Sequence, residues 1–190
     1  MRTVLHVDIN NCYAAIECLH HPKLRDKPVA VGGDVEARHG IILAKNQLAK
    51  ARGVKTGEAL WQARGKCPGL VILEPDFARY LRFSRLARAL FGEYTDQVEP
   101  FGLDEAWLDV SASCALHGGG AAIGQEIRRR MKEELGITVS VGVSFNKVFA
   151  KLGSDVAGPD EVCLLSPENY RQAAWPLPVE ELLYVGPATR

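Results

Sequence analysis

The stretch Phe101-Gly102-Leu103-Asp104-Glu105-Ala106-Trp107-Leu108-Asp109-Val110 sets two adjacent acids in the middle of an apolar run. Val98 to Leu103 and Glu105 to Val110 read as two extended segments that meet at this pair. Neighbouring residues of a strand face opposite sides, so both acids serve one site only at a turn or hairpin tip. A carboxylate in apolar surroundings is costly unless it is paired, protonated or bound to a cation. Asp8 repeats the oddity near the start of the chain. It stands at the end of Thr3-Val4-Leu5-His6-Val7-Asp8-Ile9, whose length and β-branched composition predict a buried strand.

For one acid, a solvated turn is reading enough. Three acids at the ends of separate buried strands fit a hard-cation site equally well. Oxygen ligands favour Mg²⁺, which takes one or two carboxylates and completes its shell with water and substrate phosphates. Two such ions a few ångströms apart clamp an in-line displacement at phosphorus. Spacing alone leaves polymerase, cyclase and nuclease chemistry open.

Outward from these acids, the pattern predicts a helix from Asn11 to Leu19 and a strand from Pro28 to Val31, closed by the turn Gly32-Gly33-Asp34. A strand from Ile41 leads into a helix over 45–52, stopped by Gly53. Thr56 is placed to cap a helix over 58–64, and Val71 to Leu73 is a further strand. A long helix spans 76–94, with Phe83, Leu86, Leu90 and Tyr94 as its apolar stripe. Along it Arg79, Arg82, Arg85 and Arg88 recur every third residue. We read them as a solvated face, with phosphate gripping as the alternative, because a three-residue spacing drifts around a helix of about 3.6 residues per turn. After Gly118-Gly119-Gly120 an amphipathic helix runs to Leu135, Thr138 to Ser144 alternates as a strand, and 147–157 is a helix. This order predicts an α+β fold, a mixed or antiparallel sheet with helices on one face.

At 190 residues and 47% hydrophobic, the chain can bury a sizeable core in one or two small domains. Its 23 basic and 23 acidic residues cancel, which does not suggest a large phosphate-gripping surface. The first 75 residues carry a net +4 and the remainder −4. The cysteines at 12, 18, 67, 114 and 163 form no CxxC pair, which argues against structural zinc and for free thiols in a reducing compartment. No apolar run approaches the roughly 20 residues of a membrane span, and the start lacks a signal peptide's apolar stretch. The location read from this is cytoplasmic.

Three blocks resemble Y-family DNA polymerases, most closely those of the bacterial polymerase IV type. They are His6-Val-Asp8-Ile-Asn-Asn-Cys-Tyr13-Ala-Ala-Ile-Glu17, Gly102-Leu-Asp104-Glu105-Ala-Trp-Leu-Asp109, and Val141-Gly-Val-Ser-Phe-Asn146-Lys147-Val-Phe-Ala-Lys151. Between them, Ala44 to Gly57 is similar to the family's fingers motif. The resemblance implies lesion-bypass DNA synthesis by a discontinuous palm over 1–11 and 76–165, with fingers over 12–75 and the start of a helical thumb over 166–190. It implies Asp8, Asp104 and Glu105 as ligands of two Mg²⁺ ions, with the backbone carbonyl of Ile9 assisting. Tyr13 falls at the steric-gate position, where its ring excludes a ribose 2′-hydroxyl. Read without the family, Tyr13 packs in a core.

This chain has Gln47 and Lys50 where the fingers motif usually offers Tyr and Arg to the triphosphate. Gln donates a hydrogen bond, and Lys supplies charge without the two-pronged geometry of Arg. Gly158 replaces a lysine common before Pro159, and Gly102 stands where many relatives have Ser. Leu177 to Thr189 resembles the first half of a thumb helix–hairpin–helix, in which Gly186 would meet DNA phosphate through backbone N–H groups. By the resemblance, the rest of the thumb and the little finger lie beyond Arg190. The implied partners are primer–template DNA and a deoxynucleoside triphosphate, with a sliding clamp only through the region beyond Arg190.

Two other readings stay open. A diguanylate-cyclase-type enzyme shares the palm chemistry, and Gly32-Gly33-Asp34 hints at that family's signature. Val35-Glu36 follows, however, where that signature has Glu-Phe. A non-catalytic relative that only binds DNA or polymerase partners is the other.

Overall fold

The structure is a computed structural model that describes residues 2–33, 40–186 and 188–189. Asp34 to Glu36, part of the turn weighed above, lie outside the described residues. In chain order the elements are β1 (Val4–Ile9), α1 (Cys12–His20), β2 (Val29–Gly32), β3 (Ile42–Lys45), α2 (Gln47–Ala51), α3 (Leu60–Lys66), β4 (Val71–Leu73) and α4 (Phe77–Gly92). Then follow β5 (Val98–Phe101), β6 (Glu105–Asp109), α5 (Gly120–Leu135), β7 (Val139–Ser144), α6 (Lys147–Val156), β8 (Val162–Leu165) and α7 (Tyr170–Ala174). This is the α+β class that the element order predicts.

Two compact units share the chain. One comprises residues 1–10 and 84–190, the other 11–83. The first is built on a five-stranded sheet in the order β5-β6-β1-β7-β8. β1 pairs antiparallel with β6 and β7, and β8 joins β7 in parallel. β7 is buried along its whole length. Its alternating sequence therefore marks a central strand covered on both faces, not a half-solvated one.

Small residues set how closely the helices approach this sheet. Gly124 of α5 leaves room for Val141 and Val143, whose methyl groups would lie 3.3 Å from any Cβ added there. Gly142, between those valines, faces the other way, and a methyl group on it would collide with the Ala150 carbonyl of α6. Gly153 of α6 meets it in return, with a Cβ position 3.1 Å from the Gly142 Cα. Residues that alternate along a strand point to opposite faces, so α5 covers one face and α6 the other. The single helical face read from the element order is thus split. Asn146 caps α6 by accepting from the Phe149 N–H at 2.8 Å, and Trp107 Nε1 donates to the Lys147 carbonyl at 3.1 Å.

The second unit holds the three-stranded sheet β3-β2-β4. Ala30, Ile42, Ala49, Val54, Leu60, Ala63 and Cys67 form its core. Local chemistry moves two helix starts relative to the sequence pattern. Asn46 caps α2 through the Ala49 N–H at 3.0 Å, so that helix begins at Gln47 and not at Lys45. Thr56 accepts a bond from Lys45 Nζ at 2.9 Å instead of capping α3, which begins at Leu60 after Gln62 Oε1 turns back to the Ala59 N–H at 3.3 Å. On α4 the buried positions are Tyr80, Ser84, Ala87, Leu90 and Phe91. Of the predicted stripe, Leu90 and Tyr94 are buried and Phe83 is half-buried, whereas Leu86 is 41% exposed.

Candidate functional site

The acids converge. In the antiparallel register of β1 and β6, Asp8 lies directly opposite Glu105 and His6 opposite Trp107. Directly opposed residues share a face, with Cβ atoms about 5 Å apart. Asp104 adjoins them in the turn before β6, where Gly102 takes φ 71° and the Ile9 N–H donates to the Asp104 carbonyl at 3.0 Å. The predicted hairpin tip is present, and it meets the end of β1.

Helix α6 presents Lys151 and Ser154 to the same face. Lys151 Nζ lies 2.9 Å from Glu105 Oε2 and 2.7 Å from Asp155 Oδ1. His6 Nε2 lies 3.1 Å from that same Glu105 oxygen. Lys151 donates a hydrogen bond to Asp155, whereas neither His6 Nε2 nor Glu105 Oε2 has a well-aligned hydrogen bond. Ser154 Oγ sits 2.7 Å from His6 Nδ1 and donates to the Lys151 carbonyl at 2.7 Å. Sequence analysis missed His6, Lys151, Ser154 and Asp155 as site residues. His6 and Lys151 stood inside the family blocks, but nothing in their spacing showed that α6 would cross the acid-bearing face.

The charges are uneven. Burial pushes the Asp8 carboxyl up to about 7, and the Glu105 and Asp104 charges add to it while Lys151 opposes. Asp104 is raised by burial and then by Glu105. Burial works the same way on Glu105, but its contacts with His6 and Lys151 outweigh it and hold that carboxyl below its ordinary value. Burial lowers His6, which favours neutral imidazole.

Among the described residues, no three His, Cys, Asp or Glu side chains are gathered closely enough to hold a metal ion outright; Glu105 is engaged by Lys151. The donor set still fits a hard divalent cation. Three carboxylates share one neighbourhood, and the anion of Asp8 is destabilised by the other two, a cost that a divalent charge removes.

In the second unit, Tyr13 stacks on Tyr80 with centroids 4.3 Å apart. The Tyr80 hydroxyl donates to buried Glu17 at 2.9 Å, and Arg79 pairs with Glu17 at 2.7 Å. Arg79 therefore leaves the solvated arginine face of α4, on which Arg82 and Arg85 remain exposed. Gln47 and Lys50 are exposed on α2. Gly186 accepts from the Thr189 N–H at 2.9 Å, and among the described residues of 177–189 the helical content is the 3-10 turn Val179–Glu181.

A central strand and a neighbouring hairpin that bring acids from distant parts of the chain onto one face, backed by a lysine-bearing helix, define an α+β palm with an acid site. The chain belongs to the impB/mucB/samB family, whose description matches residues 7–155. It is 58% identical to the DNA polymerase IV of Acetivibrio thermocellus over 189 residues, covering 100% of this chain and 47% of that protein. The crystal structure of DinB from Sulfolobus solfataricus superposes with a TM-score of 0.90 at 26% identity, covering 98% of this chain and 55% of that one. An insertion ternary complex of Dbh DNA polymerase matches equally well, with a TM-score of 0.90, 26% identity and the same coverage. The resemblance to Y-family DNA polymerases is thereby borne out. The chain spans about half the length of the curated relatives it matches. Among the described residues no helix is long and apolar enough to cross a membrane.

Proposed function

We propose that this chain is the catalytic part of a translesion DNA polymerase, which adds deoxynucleotides to a primer 3′-hydroxyl opposite a damaged template. The observation that carries the reading is the placement of Asp8 opposite Glu105, with Asp104 at the adjoining turn. Asp8, Asp104 and Glu105 would hold two Mg²⁺ ions, with the Ile9 carbonyl assisting. Bound there, the ions would supply charge neutralisation at the α-phosphate and a more acidic primer hydroxyl.

The protein's own contribution is positioning and preset charge. Gly102 and the Ile9–Asp104 bond fix the hairpin tip against β1. Tyr13, its ring backed by Tyr80, would exclude the ribose 2′-hydroxyl. Gln47 and Lys50 would meet the triphosphate with a neutral donor and a single charge. The Gly186 segment would meet DNA phosphate through its backbone. In this reading 1–11 and 76–165 are palm, 12–75 is fingers, and 166–190 begins the thumb. A sliding clamp would be engaged only by sequence outside this chain.

The test places this chain in a chimera, replacing the matching segment of the Acetivibrio thermocellus polymerase. Mg²⁺-dependent primer extension is the expected result, lost by at least about a thousandfold in Asp104→Ala with the circular dichroism spectrum unchanged. Wild-type-like extension by that variant ends the proposal.

A further inference from the structure

Lys151 is only 8% exposed, and a lysine so placed needs anions close by. It has two, Glu105 at 2.9 Å and Asp155 at 2.7 Å. Its position is fixed from both ends. The Ser154 hydroxyl holds its backbone carbonyl, and the Gly142–Gly153 contact seats α6 so close to β7 that the helix has no room to shift inward. Four carboxylates, those of Asp8, Asp104, Glu105 and Asp155, act on this one ammonium group or on each other. With His6 buried, Lys151 is the main positive charge among them.

We propose that Lys151 is a built-in counter-cation of the acid site. It competes with a divalent ion for Glu105, releases that carboxylate when the ion binds, and keeps Asp155 as its remaining partner. The inference rests on the reading of Asp8, Asp104 and Glu105 as metal ligands. Lys151 is a positioning residue. Asp155 makes the exchange inexpensive, because the ammonium group is never left without an anion. The consequences have opposite signs. Loss of Lys151 destabilises the protein without metal, since it leaves buried carboxylates unpaired. The same loss tightens metal binding, because a repelling charge and a competitor for Glu105 vanish together. A salt bridge with a purely structural role would weaken both.

The test measures Mn²⁺ binding to the 190-residue chain at pH 8 by electron paramagnetic resonance, together with urea denaturation without metal. Lys151→Met keeps the aliphatic stem and removes the charge. It should bind Mn²⁺ about tenfold more tightly than wild type, as removal of one nearby unit charge in a partly buried site implies, while its denaturation midpoint falls. Lys151→Arg should return both values toward wild type. Equal or weaker Mn²⁺ binding by Lys151→Met overturns the inference and leaves the metal reading standing. Absence of Mn²⁺ binding by the wild-type chain overturns both. Should Lys151→Met fail to fold, the wild-type chain decides by NMR. Nuclear Overhauser contacts from the Lys151 ammonium protons to the Glu105 γ-protons should vanish on addition of Mg²⁺ while those to the Asp155 β-protons persist, and retention of the Glu105 contact refutes the exchange.

Discussion

The ring of Tyr13 lies flat on the ring of Tyr80, with their planes 7° apart, and the Tyr80 hydroxyl is tied to Glu17. An aromatic side chain on α1 is thus held by a residue of α4 that is itself anchored by a buried carboxylate. Such a stack contributes about 1 kcal/mol beyond its buried area and limits where the Tyr13 ring can go.

If Tyr13 is the sugar gate, Tyr13→Ala in the polymerase chimera should raise ribonucleotide incorporation relative to deoxynucleotide by about ten- to a hundredfold. Single-nucleotide insertion kinetics with the two sugars check this. An unchanged sugar preference removes Tyr13 from that role.

Glu17 is 3% exposed and paired to Arg79. Arg79→Met leaves this carboxylate short of its partner and should cost about 3 kcal/mol in urea denaturation. The double variant Glu17→Leu with Arg79→Met should recover most of that loss, because no unpaired charge remains.

Gly142→Ala puts a methyl group into the Ala150 carbonyl and should cost about 3 kcal/mol or more as α6 is forced off the sheet. Gly65→Ala, in α3 with open space around it, should be neutral or stabilising by up to about 1 kcal/mol. Thermal melts of the two variants provide the comparison.

Asp160 pairs with Arg128 at 3.0 Å and Lys132 at 2.6 Å. Burial works against the charged form, yet the two cations outweigh it and hold the carboxyl below its ordinary value. A depressed carboxylate contributes stability that is present above its unfolded pKa of about 3.9 and lost as the pH falls through the lower folded value. Asp160→Asn, which tolerates the φ of 63° at this position, should cost about 1 kcal/mol at pH 7 after solvent screening. The difference should shrink as the pH falls below about 3.9, as urea titrations across the acid range will show.

The acids were legible because a charge in an apolar run is an anomaly that only pairing or a cation resolves, and Asp8, Asp104 and Glu105 each announced one. The strands bearing them followed from β-branched composition. β8 was not read as a strand at all. Val162 to Leu165 is a short stretch after a Gly-Pro turn, and its strand character comes from pairing beside β7, which nothing local encodes. Leu86 misled because hydrophobicity on α4 does not say which side is covered. The role of α6 was hidden for a similar reason. Gly142 and Gly153 look unremarkable eleven residues apart, and only the fold turns them into facing surfaces that carry Lys151 to Glu105.

The pairing of β1 with its two neighbours has one more consequence. Leu5 and Val7 belong to the opposite side of this strand from His6 and Asp8, so a slip of one residue would exchange greasy and ionisable side chains together. Both sides of the strand are covered, so a chain that zipped up out of step would carry the Asp8 carboxylate and the His6 imidazole away from Lys151 and Ser154 and into the space that Leu5 and Val7 now fill. Errors in assembly would therefore show themselves as instability rather than persist as well-folded but inert protein.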